Sequence, residues 1–206
     1  MLKEQQIKTM KTILLKQKFE ELACEIINEA ETFSFNLRDL PEIEDFKINI
    51  REDFKISIRT HIIFGKILSS LDKKMSNCIY WFETEKVESC NNLQKLLNDQ
   101  REMLISKKRT VPVKNVNTDS NVLYVGVRRG GQTKKHEMSH LAGRIKTHLG
   151  YYDIGSTQGL QLAYWARNID CQVNLKVVQF EGLSNEYLNT VEKILAFKLK
   201  PLCGKH

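Results

Sequence analysis

Val122-Leu123-Tyr124-Val125-Gly126-Val127-Arg128 is a run of β-branched and aromatic residues with one glycine, closed by Arg129-Gly130-Gly131. Its composition and length predict a buried strand followed by a turn. Cys78 to Phe82 has the same character, and Leu175 to Phe180 supplies a third run. Helical spacing fills the intervals. Val87 to Lys107 places Leu93, Leu96, Leu97 and Leu104 inward, and Leu160 to Arg167 forms a shorter helix. Leu141 to Leu149 has Ser139 as N-cap and Gly150 as stop, and Asn185 to Leu199 is ended by Pro201. The order β-α-β-α-α-β-α predicts an α/β fold of the α+β kind: a small three-stranded mixed sheet flanked by helices.

Upstream, Glu4 to Glu31 reads as one long helix, and Thr32 to Leu40 breaks the pattern before Pro41. Phe46 to Ile50 and Phe54 to Ile58 alternate apolar and polar residues, as strands do, and Arg59 to Leu71 has helical spacing. The shift in composition at Asp72 to Asn77 divides the chain. Residues 1–75 are expected to form a mainly helical N-terminal segment for dimerisation, DNA contact or partner docking, and residues 76–206 a second domain.

With 206 residues, 41% of them hydrophobic, the chain can bury a core, so disorder is not expected. The longest apolar runs, such as Ile62-Ile63-Phe64, are too short to span a bilayer. The start of the chain has no signal-peptide core. These features predict a cytoplasmic protein with no membrane partner. The five cysteines form no C-x-x-C pair, which predicts reduced thiols rather than a disulfide frame or a structural zinc site. The net charge is +7 and is unevenly spread. Val122 to the end carries 12 Lys/Arg against 6 Asp/Glu, and the rest of the chain 20 against 19. The excess suits a polyanion, nucleic acid above all.

Some residues can carry chemistry. Arg144 and His148 are four apart on one helix and share a face. Arginine forks onto phosphate, and histidine moves a proton near neutral pH. Glu192 borders the buried stripe set by Leu188, Val191, Ile194 and Leu195. A single carboxylate suffices to hold Mg²⁺, which keeps most of its waters. Taken singly, each of these residues also fits an ordinary solvated helix face, and Tyr80 and Tyr124 fit ordinary strand packing.

Their order along the chain is more specific. Cys78-Ile79-Tyr80, Leu123-Tyr124-Val125-Gly126, Leu141 to Leu149 with Arg144 and His148, Val191-Glu192, and Leu199-Lys200-Pro201-Leu202 together resemble the GIY-YIG nuclease superfamily. The resemblance runs from about Asn77 to the end. Cys78 replaces the first glycine of the family pattern, and an insertion at about 84–120 replaces its short turn. The resemblance implies a divalent-metal-dependent endonuclease acting on double-stranded DNA, with a restriction or defence role. Tyr80, Tyr124, Arg144, His148 and Glu192 would be catalytic, with Glu192 holding Mg²⁺ or Mn²⁺. Tyr80 would activate water, with His148 taking its proton. Arg144 would offset charge on the phosphorane, and Gly126 would keep the floor of the site uncrowded. Arg128, Arg129, Lys134, Lys135, Lys146 and Lys200 would contact the nucleic acid. A homodimer is the simple route to cutting both strands.

Two other functions compete. One is a catalytically silent nucleic-acid-binding or interaction module on the same fold. The other is a zinc metallopeptidase, because His136-Glu137-Met138-Ser139-His140 spells H-E-x-x-H. That motif needs both histidines on one helix face. Ser139 as a helix cap would leave His136 outside the helix.

Overall fold

The computed structural model describes residues 2–43, 57–133, 138–151 and 158–205, with side chains from Met10 onward. The expected strands at 46–50 and 54–58 fall outside these residues, apart from Ser57 and Ile58. Those two belong to a 3-10 turn, Ile58–Thr60, and to its Ser57 cap. The helices are α1 (Leu2–Asn28), α2 (Phe64–Asp72), α3 (Val87–Asp99), α4 (Arg101–Ser106), α5 (His140–Leu149), α6 (Leu162–Trp165) and α7 (Asn185–Leu199). The strands are β1 (Glu31–Asn36), β2 (Asn77–Thr84), β3 (Val122–Arg128), β4 (Gln132–Thr133), β5 (Met138–Ser139) and β6 (Gln172–Phe180).

The main sheet has four strands in the order β1-β6-β2-β3, and β4 and β5 form a small separate pair. Every neighbouring pair in the main sheet is antiparallel, so the sheet is neither three-stranded nor mixed. The fold is α+β. The additional strand is β1, in the stretch expected to be a break. It pairs with β6 from Glu31↔Val177 to Asn36↔Gln172. Phe35 and Leu37 are buried, Phe33 packs partly against them, and Ser34 and Asn174 share a side-chain hydrogen bond of 2.7 Å.

β2 is an inner strand, covered on both faces. Its alternation sorts Ile79 and Trp81 to the face covered by α1 and α7, and Cys78, Tyr80 and Phe82 to the face covered by α2, α3 and α5. All five side chains are fully buried. β3 lies at the sheet's other end, and the chain's tail covers its outer edge. The Leu202 amide donates to Val122 O, and the Cys203 amide to Leu123 O, both at 2.9 Å. Gln94 donates from its side chain to the Leu202 carbonyl at 2.7 Å. The tail thereby occupies backbone groups that an edge strand leaves unpaired.

α5 forms where its caps predict. The Ser139 hydroxyl accepts from the Ala142 amide at 3.0 Å, and Gly150 ends the helix at φ 103°. Leu141, Ala142, Ile145 and Leu149 face the core. The expected helix 87–107 is two helices with a joint at Gln100.

Candidate active site

β2 and β3 set the first two side chains of the site. Tyr80 lies opposite Gly126 in the ladder. Gly126 has no side chain, so the Tyr80 and Tyr124 rings close over it. A Cβ there would come within 2.7 Å of the Tyr80 hydroxyl oxygen and 2.8 Å of a Tyr124 ring carbon. This close approach is the physical reason for a glycine at that strand position.

α5 supplies the next two. Arg144 Nε donates to the Tyr80 hydroxyl at 3.0 Å, and Nη2 donates to the Tyr124 hydroxyl at 3.3 Å. Nη1 donates to the Gln158 carbonyl. His148, one turn on, is fully buried in a box of Tyr80, Phe82 and Tyr124, with ring centroids 5.5, 5.2 and 4.8 Å away. Its Nε2 is 3.0 Å from the Tyr80 oxygen. Its Nδ1 accepts from the Leu160 amide at 3.1 Å. A neutral imidazole carries one proton, so that proton resides on Nε2 and points at Tyr80.

This tautomer corrects the expectation that His148 takes the Tyr80 proton. His148 donates to the phenol oxygen and has no free lone pair there. Burial, and then the Arg144 cation, hold its pKa well below the ordinary 6.5, so the ring is neutral. The Tyr80 oxygen therefore accepts two N–H bonds, from Arg144 and His148, and its own O–H is left to point elsewhere. Burial pushes the Tyr80 phenol up, the neighbouring Tyr124 and the Glu192 charge push the same way, and Arg144 pulls down without prevailing. Burial works against the Arg144 charge too, but Tyr80 and Tyr124 outweigh it and the guanidinium stays charged.

Glu192 is on α7, which covers the face of the sheet opposite Tyr80; no contact joins it to Tyr80, Tyr124, Arg144 or His148 among the described residues, and its link to them is the upward push of its charge on the Tyr80 phenol. It is half-buried on α7, one turn after the buried Leu188. Burial raises its pKa, with Lys193 opposing. Its carboxylate has no hydrogen bond or salt bridge among the described residues. Desolvated carboxylates in that state favour a cation beside them. No group of three or more His, Cys, Asp or Glu able to hold a metal occurs among the described residues. A metal here would therefore have one protein carboxylate and water.

The basic residues scatter. Arg128 and Arg129 are exposed at the end of β3, and Arg129 lines a polar cleft of about 570 Å³ with Asn77, Ser184 and Glu186. Lys146 lies about 200° around α5 from Arg144, half-buried, where burial and then Arg59 lower its pKa. Lys200 is the exposed left-handed residue that ends α7. Lys134, Lys135, His136 and Glu137 lie outside the described residues. His140 opens α5, and Met138 and Ser139 before it are strand. The H-E-x-x-H run is thus not a continuous helical turn. His140 instead has its Nδ1 2.9 Å from the Gly130 carbonyl.

The backbone at Gln158-Gly159-Leu160 completes the site, and the pattern of side chains along the chain does not point to it. It holds Arg144 through Gln158 and His148 through Leu160. Gly159 passes so close to α5 that a Cβ would lie 2.9 Å from the Thr147 carbonyl oxygen. The loop after α4 anchors this stretch: Gly159 donates to Thr110 O at 3.0 Å, and the Gln158 side chain to Val111 O at 3.1 Å. The glycine alone could have flagged it, because backbone donors leave no mark in side-chain identity.

No family model, curated protein or solved structure matches this chain. No helix among the described residues is long and apolar enough to cross a membrane.

Proposed function

We propose that the chain is a divalent-metal-dependent endonuclease that hydrolyses phosphodiester bonds in double-stranded DNA. The observation that carries this reading is the convergence of Arg144 and His148 on one phenol oxygen, that of Tyr80, with Tyr124 on the other branch of the same guanidinium. The order of these residues along the chain is the one that resembles GIY-YIG nucleases.

Glu192 would hold Mg²⁺ or Mn²⁺. The ion would supply charge relief on a phosphate oxygen and on the departing alkoxide. Tyr80 would act on the attacking water as phenolate, reached when its O–H, the bond that Arg144 and His148 leave free, gives its proton to solvent water against the burial that holds its pKa up. Two N–H donors already aimed at its oxygen, with the guanidinium charge beside it, stabilise that anion. His148 acts as a fixed neutral donor to Tyr80. Arg144 also offsets charge on the phosphoryl oxygens. Tyr124 takes the second guanidinium branch and holds the fork in plane. The exposed Arg128, Arg129 and Lys200 add phosphate contacts, which position the duplex without reading sequence.

The competing reading is a silent nucleic-acid-binding module, and the complete burial of Tyr80 favours it. One assay separates the two. Purified chain is incubated with supercoiled plasmid and Mg²⁺, against an EDTA control and a Glu192→Gln variant. Metal-dependent nicking that Glu192→Gln abolishes, while gel-shift binding persists, supports the nuclease. Binding without cutting, across Mg²⁺ and Mn²⁺, supports the silent module.

A further inference from the structure

The helices α3 and α4 and the loop after them fill the stretch at about 84–120 that replaces a short turn of the nuclease pattern. That loop closes a pocket of about 160 Å³ with α4, lined by Arg101, Ile105, Lys108, Arg109, Thr110 and Val111. The space is enough for a phosphate group and several waters. Three of its lining residues are cations, and no Asp or Glu among the described residues lines it. Glu102, the one acid of α4, is exposed and lies outside the lining. Neither Arg101 nor Lys108 has a salt bridge among the described residues.

Each cation is held by its surroundings. Arg101 Nη2 donates to Asn98 Oδ1 at 3.0 Å and to the Pro112 carbonyl at 2.8 Å. The Arg109 guanidinium lies over the Tyr164 ring, 4.7 Å from its centroid. Lys108 is placed by the backbone. The Lys108 amide donates to Ile105 O at 2.9 Å and the Arg109 amide to Leu104 O at 2.8 Å, so α4 ends in a Schellman turn. That turn holds Lys108 at φ 58°, the left-handed conformation that glycine adopts without strain. A Cβ in that conformation costs free energy, so an exposed lysine there points to a use for its side chain.

The pocket shares a wall with the candidate site. Thr110 O accepts from the Gly159 amide at 3.0 Å, and Val111 O from the Gln158 side chain at 3.1 Å. The Gln158 carbonyl in turn receives Arg144 Nη1. Tyr164, beneath Arg109, belongs to α6, which follows the same segment.

We propose that this pocket holds a backbone phosphate of the nucleic-acid strand whose neighbouring phosphodiester lies at Tyr80 and Arg144. The charges of Arg101, Lys108 and Arg109 offset those of its oxygens. The contact positions the strand and reads no sequence. It rests on the nucleic-acid reading of the site, and it is tested without cutting.

The test is binding of a fluorescein-labelled duplex of about 20 base pairs in EDTA, followed by anisotropy from about 50 to 300 mM KCl. Lys108→Gly removes a cation and relieves the turn, so affinity and stability should part. The slope of log Kd against log salt should fall by about 0.9, roughly a fivefold loss of affinity near 0.15 M salt, while the urea midpoint holds or rises. Adding Arg101→Gln should bring the loss of slope to about 1.8. Lys11→Gln with Lys18→Gln removes the same charge from α1, on the other face of the sheet, and should leave the slope unchanged. Three results would overturn the proposal: a wild type that does not bind the duplex; a Lys11/Lys18 control that lowers the slope as far as the Lys108/Arg101 pair; or a Lys108/Arg101 pair that keeps the wild-type slope. In the last case, loss of the melting shift given by inorganic phosphate would make the pocket a site for free anions instead. A chain that cuts plasmid while the pair keeps its slope loses this pocket and retains the nuclease reading. A chain that never cuts but shows the loss of slope retains the pocket and loses the nuclease reading.

Discussion

His148 Nδ1 accepts the Leu160 amide at 3.1 Å, and this one backbone contact decides which way the imidazole proton faces. It makes Nε2 a donor and excludes the imidazolium, because a doubly protonated ring could not accept. The same contact ties His148 to pH-dependent stability. Its folded pKa is depressed below 6.5 by burial and then by Arg144, so the unfolded chain takes up the proton first as pH falls. The contribution is present above about pH 6.5 and is lost below it, at up to about 1.4 kcal/mol per pH unit. Glu192, with its raised pKa, titrates with the opposite sign. Urea midpoints of wild type and His148→Gln, compared at each pH from 7.5 to 5, isolate the histidine. The wild type should lose stability more steeply. Parallel curves would mean that His148 is not held neutral.

Gly126 is where the two tyrosines close over the backbone. Gly126→Ala places a methyl within 2.7 Å of the Tyr80 hydroxyl oxygen. The tyrosine hydroxyl must then move away from Arg144 and His148. Overpacking of this kind costs about 1–3 kcal/mol. Cutting should fall much further than stability does, since the displaced atom is the one proposed to act on water. A variant that cuts plasmid at the wild-type rate would remove Tyr80 from the mechanism.

Arg144 reaches Tyr80 and Tyr124 with two different nitrogens, a geometry that a lysine ammonium cannot copy. Arg144→Lys keeps the charge and loses the fork. Cutting is expected to fall about 10²–10³-fold. The melting change should be about 1 kcal/mol, the worth of one or two lost hydrogen bonds. If Arg144→Lys retained most of the activity, charge alone would be sufficient, and the planar bridge between the tyrosines would be incidental.

Much of the frame is visible in residue patterns. β3 begins and ends where its β-branched run does, and α5 and α7 follow from their caps and stops. β1 was missed although Phe33, Phe35 and Leu37 alternate. Two or three apolar residues are a weak period, and its partner β6 lies about 140 residues away, where no local rule reaches. The joint at Gln100 was missed because the leucine spacing runs across it, while Asn98-Asp99 weaken the helix locally. In the candidate site the side chains could be named from their order, but the direction of the His148 hydrogen bond could not. That direction is set by the Leu160 amide, and every residue but proline has an amide.

The last turn of the chain is an edge cover for the strand that bears Tyr124. Removing residues 201–206 deletes the Leu202 and Cys203 bonds to β3 and the Gly204 bond to Val113 O, and it takes out two fully buried side chains. Burial of one leucine is worth about 1.5–3 kcal/mol and each backbone bond about 0.5–1.5 kcal/mol. The truncated chain should therefore lose about 3–7.5 kcal/mol by urea denaturation on that arithmetic. The bared β3 edge should also make it self-associate. Leu202→Ala in the full chain separates the two effects, because it removes the packing and keeps the edge paired. It should destabilise by about 2–5 kcal/mol without aggregation. A truncated chain within about 1 kcal/mol of the full one would mean that the tail rests on the sheet without supporting it.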